Sequence, residues 1–535
     1  MKQVFIKDQA EKLGNGGINR RQFVTSLVAA GVVLPSAMSM ATEVLAATPK
    51  KGGTLRHGTG YGGTTDTIDP STSTNGFSQN VIYTRGNHLT EVGQDGKLRG
   101  ELAESFESSD GASKWVFNLH KDVTFHNGKT LTADDVIATY NYNRGEDSKS
   151  AAKGLISAVK DIKKDGDNRV IFELEGGNAD FPYIVSDYHL MIMASKDGAI
   201  DATQMDNGTG GYALKKYEPG VRASFERNPN YWKAGHAHFD AIELTPILDP
   251  TARQTAMMNG EVDFIDTVDP KTVSLLGRVP TLEILETTGT QHYTFPMRLD
   301  VEPFGNADLR MALKLAINRQ ELVDKILLGH GVVGNDIPVS AAMPFLNTSI
   351  PQREFDAEKA AEYYKKSGHS GPIKLSVADA AFAGAVDAGQ LIAASAKQAG
   401  IEIEVVREPN DGYWSNVWNK KGWCACYWGG RPTQDWMYSS AYTADTKWND
   451  TAWKETDAAK RFNEVVTSAR SETDDAKRGA QYNEAQQLLH DDGGAIVAMW
   501  ANYIHAHSKK LAHGPDVAAN WTNDGNKVSE RWWFS

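Results

Sequence analysis

The residues best equipped for chemistry fall in one stretch, WCACYWGGRPTQDW at 423–436. It holds both cysteines of the chain, four aromatic rings, one arginine and one aspartate around a Gly-Gly pair. A C-x-C pair cannot complete a zinc site alone, and closing it as a disulfide would be strained, because alternate residues of a strand share a face. The spacing favours two small residues packed on one side of a strand. Gly429, Gly430 and Pro432 force a loop that carries Trp428, Arg431, Asp435 and Trp436. Loops line clefts, and these side chains offer ring faces for stacking, a guanidinium for a carboxylate and an acid for an amine or hydroxyl. Eleven Tyr and Trp residues lie between Tyr413 and Trp453, and half of them are expected to be core. The candidate ligand-binding set is Trp414, Cys426, Tyr427, Trp428, Arg431, Asp435 and Trp436.

No catalytic, metal or cofactor motif accompanies them. Gly58-Thr-Gly60-Tyr-Gly-Gly63 has the G-x-G-x-x-G spacing but runs into TTDTIDPS, which gives a phosphate no helix N-terminus. The pairs His236/His238 and His505/His507 lack the third and fourth ligands of a tetrahedral site. There is no G-x-S-x-G elbow, H-E-x-x-H or P-loop. No cofactor is expected, and an exported hydrolase acting in the same cleft on a peptide or sugar conjugate is the alternative to a binding protein. A net charge of −12 argues against nucleic acid and anionic membrane surfaces as partners, since both select clustered Lys and Arg.

The N-terminus addresses the compartment. Asn19-Arg20-Arg21-Gln22-Phe23 precedes the apolar run Val24–Leu34, then Pro35 and a small-residue end at Leu45-Ala46-Ala47. That order reads as a twin-arginine signal peptide over 1–47, with an apolar run too short to span a bilayer. The mature chain is expected to be soluble and periplasmic.

The elements that must position the cleft residues are helices and strands intermixed along 535 residues, without repeats or flexible linkers. Strands are read at Thr54–His57, Lys114–His120, Val170–Leu174, Ile401–Val406 and Ala495–Trp500. Helices are expected after the Thr132/Asp135 capping box, after Asn306 and on to Leu328, from Asp356 to Gly368, before Gly400, and over 475–490. A chain of this length divides into two or three lobes.

Several blocks resemble the family 5 extracellular solute-binding proteins, the dipeptide- and oligopeptide-binding receptors of ABC importers. They are GGTLRHG with DTIDP, GKLRGELAESFESSDGASKWVFNLHKDVTFHNGKTLTADDVIATY (97–140), GTGGYALKKYEPGVRASFERNPNYW (208–232), RQTAMMNGEVDFID (253–266), PFGNADLRMALKLAINRQELVDKILLGHG (303–331) and YNEAQQLLHDDGGAIVAMW. The resemblance implies an α/β, periplasmic-binding-protein-like fold of the cluster C type, with two lobes around a ligand cleft and an extra third domain. By that analogy lobe I takes 48–86, 208–295 and 491–535, the extra domain 87–207, and the opposing lobe 296–490. It also implies a monomer that captures a small polar solute and hands it to a membrane permease and its ATPase. In peptide-binding members an aspartate three residues after the Gly-Trp of one strand holds the ligand's amino group. Here Gly422-Trp423 is followed at that position by Cys426. A thiol cannot supply the buried negative charge that an ammonium needs. Either Asp435 or a carboxylate elsewhere takes over the amine, or the ligand has none, as in an opine, a glycoside or another polar metabolite.

Overall fold

The computed structural model describes residues 48–409 and 413–535, with short parts of the first 47, the longest of them 18–30. Within that part a helix spans Arg20–Ala29, opened by a capping box between Asn19 and Gln22. Leu13, Phe23, Leu27 and Ala37 form a small apolar cluster with neighbours among the described residues of the first 40. The small-residue end at 45–47 lies outside the described residues. Among those residues no helix is long and apolar enough to cross a membrane.

Two sheets are joined by the chain's crossovers. The larger has seven strands in the order Tyr212–Glu218, Arg222–Arg227, Ala241–Pro246, Thr54–Thr59, Phe264–Ile265, Tyr503–Ser508 and Leu282–Thr287. Thr54–Thr59 is parallel to both its neighbours. The smaller sheet orders Gly331–Val333, Val497–Ala501, His292–Thr294 and Cys426–Trp428, all antiparallel. The chain crosses from one sheet to the other twice, from Thr287 to His292 and back from Ala501 to Tyr503. These passages are short and strand-like, the geometry of a hinge.

A third unit is inserted between the helix Gly76–Arg85 and the strand Tyr212–Glu218. Its sheet runs Ala103–Ser109, Lys114–Leu119, Arg169–Leu174 and Val159–Lys164. The helix Ala133–Arg144 packs on it, its first turn closed by the Thr132/Asp135 capping box. Phe117, Tyr140, Phe172 and Phe181 form its aromatic core. The opposing lobe adds a β-α-β unit, in which Ile373–Val377 and Ile403–Arg407 pair in parallel beside the helix Ala385–Lys397. The helix Ala357–Ser367 is capped by Asp356 and stops at Gly368, whose φ of 68° suits a residue without Cβ.

Buried charges tie the inserted unit to the first lobe. Glu91 and Glu101 from the insertion meet Lys233, Lys527, Glu530 and Arg531, with Lys233 Nζ at 3.0, 3.1 and 2.9 Å from Glu91, Glu101 and Glu530. Each ion in such a group must be paired, because an isolated one would forfeit its hydration.

Candidate functional site

The strand Cys426–Trp428 is an edge strand, and its alternation sends side chains to two faces. Cys426 and Trp428 point into the apolar cluster that includes Met437, Tyr438 and Trp500, while Tyr427 points the other way and is half-buried. Opposite Tyr427 in register stands Tyr293, stacked on Phe382 at 4.1 Å. Tyr427 lies close enough to Tyr61, Tyr188, Tyr293 and Tyr503 to raise the pKa of each. Burial is the main cause in all four, and Tyr293 is pushed up to about 12. These tyrosines come from both lobes and the inserted unit, so they mark where the three meet.

Arg431 sits at the same junction. Its Nε donates to Ser440 Oγ at 3.3 Å and its Nη1 to the Gly430 carbonyl at 2.9 Å. The guanidinium lies 5.8 Å from the ring centre of Trp436 and 5.2 Å from that of Trp521, which is supplied by the C-terminal segment. Arg431 is only 9% exposed, yet among the described residues no carboxylate lies within salt-bridge distance and Nη2 has no hydrogen-bond partner. Close approach fixes the loop, since a Cβ on Gly430 would come within 1.8 Å of the Asn520 carbonyl oxygen. The Gly430 amide donates to Tyr503 Oη at 3.1 Å.

The other candidates fall around this centre. Trp414 is 40% exposed and packs edge-on against Tyr427 at 5.5 Å. Trp436 is buried against Trp521, and its indole Nε1 has no partner. Asp435 turns away from Arg431 and pairs with Arg470 Nε at 2.7 Å. Trp428 is turned into the core, where its Nε1 donates to Asp450 at 3.3 Å. Cys424 and Cys426 are both buried and unpaired. Burial, with Asp450 nearby, pushes both thiols up, so neither forms a thiolate at neutral pH.

Asp450, Tyr61, Asp187, Tyr188, Tyr503 and Trp521 were not singled out by the sequence reading. Asp450 lies beneath Cys426, accepts from Trp418 Nε1 at 3.1 Å, and has its pKa raised by burial to about 6. Burial opposes ionisation of Asp187, but His189 and, more weakly, Arg431 hold its pKa low. Burial lowers that of His292 to about 4, leaving the ring neutral beside Arg431. His505 Nε2 faces Thr522 Oγ1 at 2.9 Å, and the described residues contain no cluster of metal-ligating side chains. Gly60 of the G-x-G-x-x-G stretch donates its amide to Asp266 at 2.6 Å. A cavity of about 610 Å³ lined by Asn141, Arg144, Lys153 and Lys160 belongs to the inserted unit and shares no residue with this site.

Residues 97–450 match the model for bacterial extracellular solute-binding proteins, family 5 middle. The chain belongs to this family. It is 25% identical over 303 residues to the oligopeptide-binding protein AppA of Bacillus subtilis, an alignment spanning 54% of each chain. Its fold is that of AgaA from A. tumefaciens, solved with agropinic acid, at a TM-score of 0.79 and 20% identity over 90% of this chain and 99% of that one. The periplasmic binding protein DppA of Helicobacter pylori, solved with the peptide STSA, superposes at a TM-score of 0.79 and 19% identity over 90% and 98%. The architecture of this family 5 chain is thus α/β and periplasmic-binding-protein-like, and the family's members are binding proteins.

Proposed function

We propose that the chain is the solute-binding receptor of an ABC importer. It works in the periplasm as a soluble monomer, after removal of residues 1–47 by the twin-arginine route, and delivers a polar small solute to a membrane permease and its ATPase. The observation that carries this reading is the convergence of Arg431 and a ring of tyrosines where two hinged lobes and the inserted unit meet. Aromatic faces, hydroxyls and one guanidinium make a site that orients and desolvates a solute. Relatives are described with oligopeptides, agropinic acid, haem and nickel–histidine as ligands, which supports a common fold around varied cargo. Tyr427 and Arg431 are assigned the central contacts, with Trp436 and Trp414 as inner and outer walls.

The test is uptake. A strain lacking the gene should fail to import the solute found in the purified protein, and the protein should return that solute chemically unchanged. Chemical conversion on incubation would instead support a hydrolase.

A further inference from the structure

Resting on that reading of the cleft, we propose that its solute carries a carboxylate or a comparable anionic group and no free amine. The charges at the site are unbalanced in one direction. Arg431 is nine-tenths buried with no carboxylate in salt-bridge distance among the described residues, and its charge reaches Asp187 only weakly. The nearby histidine, His292, is neutral, so it neither adds to that charge nor offsets it. Two further buried nitrogens, Trp436 Nε1 and His292 Nε2, lack partners.

Each acid around the junction already has a charged or hydrogen-bonding partner, although one oxygen of Asp435, Oδ2, is buried without one. Asp187 accepts from the His189 amide at 2.9 Å and faces its Nδ1 at 2.6 Å. Asp266 accepts from Thr59 Oγ1 at 2.8 Å, from the Gly60 amide and from Asn523 Nδ2 at 3.3 Å. Asp435 is neutralised by Arg470. Asp450 lies behind the strand with two indole donors, and Cys426 between it and the sheet is an uncharged thiol. An ammonium entering here would meet Arg431 and no unpaired charge of opposite sign. A carboxylate would meet a guanidinium end, Nη2, that makes no hydrogen bond to the protein and so can donate a charge-assisted one. The remaining lining, tyrosine hydroxyls and indole faces, suits hydroxyl-bearing or amide-bearing carbon skeletons.

The experiment uses the exported protein with the solute it carries. The solute is released by mild unfolding, then treated in parallel with an amine-specific acylating reagent and a carboxyl-esterifying reagent, weighed, and returned to emptied protein. The expected solute gains mass only on esterification, and its ester binds at least tenfold more weakly than the free acid. Arg431→Gln should lose at least tenfold for the acid and little for the ester. Trp436→Phe, which removes the indole N–H with the five-membered ring, should lose a few-fold and serves if Arg431→Gln fails to fold. A solute that takes the amine label, a neutral solute, or an acid bound as tightly by both variants as by the wild type would overturn this inference alone. A protein that carries and binds no solute would overturn the transport reading instead.

Discussion

Asp180 of the inserted unit and Arg478 of the opposing lobe form an ion pair at 2.8 Å, with side chains only 6% and 10% exposed. The neighbouring Ala179 amide donates to the Arg470 carbonyl at 2.6 Å, so two contacts join the inserted unit to the opposing lobe. At the other side Lys271 of the first lobe faces Asp387 of the opposing lobe at 3.9 Å, both largely exposed. The first pair is desolvated and strong, whereas the second is screened and weak.

Asp180→Asn should therefore shift the protein toward an open form. Removing one partner of a buried charge pair costs about 2 kcal/mol or more, read mainly in dissociation. Small-angle scattering should show a larger radius of gyration for the empty variant, and stopped-flow a solute release at least tenfold faster. Lys271→Ala should change neither measurably.

Tyr427→Phe keeps the ring against Trp414 and removes one hydroxyl from the tyrosine ring. A single hydrogen bond contributes about 0.5–1.5 kcal/mol, so calorimetry should show solute affinity falling by about two- to twelvefold. The thermal midpoint should stay unchanged, since this hydroxyl has no partner in the protein among the described residues.

Asp450 sets a pH dependence. Its folded-state pKa of about 6 lies above the ordinary 3.8, so the native protein holds the proton more tightly than the unfolded chain. Its ionisation costs stability above pH 6, by about 3 kcal/mol, and that cost is relieved as pH falls from about 6 toward 4. Asp450→Asn should raise the thermal midpoint at pH 7.5 and reduce its change across pH 4–6.

Glu101→Gln probes the buried charges that join the insertion to the first lobe. Burial opposes ionisation of Glu101, but Lys527 and Lys233 outweigh it and hold its pKa well below the usual range. Its contribution is present above the unfolded value and is lost as pH falls through the depressed one. At neutral pH the substitution should destabilise by about 3–5 kcal/mol in denaturant unfolding, because it leaves the two lysines under-compensated.

Local elements were legible where a residue type carries its own geometric reason. The Thr132/Asp135 box, the Asn306 and Asp356 caps and Gly368 each solve a helix-end problem with neighbouring atoms, and the helices begin or end there. The strand read at Ile401–Val406 is found at Ile403–Arg407, shifted because Ile401 is instead buried at the end of the preceding helix's loop. The site was half legible. Trp428, Arg431 and Asp435 stand close in sequence, but strand alternation turns Trp428 inward and the helix Gln434–Ala441 turns Asp435 toward Arg470. Tyr61, Tyr188, Tyr503 and Trp521 reach Arg431 or Tyr427 from distant parts of the chain, and no local spacing announces them. Asp450 was hidden for the same reason, since only the fold brings it under Cys426.

The order of strands in the seven-stranded sheet also bears on how the molecule is made. Its central strand, Thr54–Thr59, pairs with residues 241–246 and 264–265, and Tyr503–Ser508 completes the far side. The sheet of the insertion is drawn from 103–174 alone. During synthesis the insertion can close its core first, while the lobe built on Thr54–Thr59 must wait for nearly the last residue. That lobe is held incomplete until the final thirty-odd residues emerge, so truncation near the C-terminus should abolish the first-made lobe rather than the last.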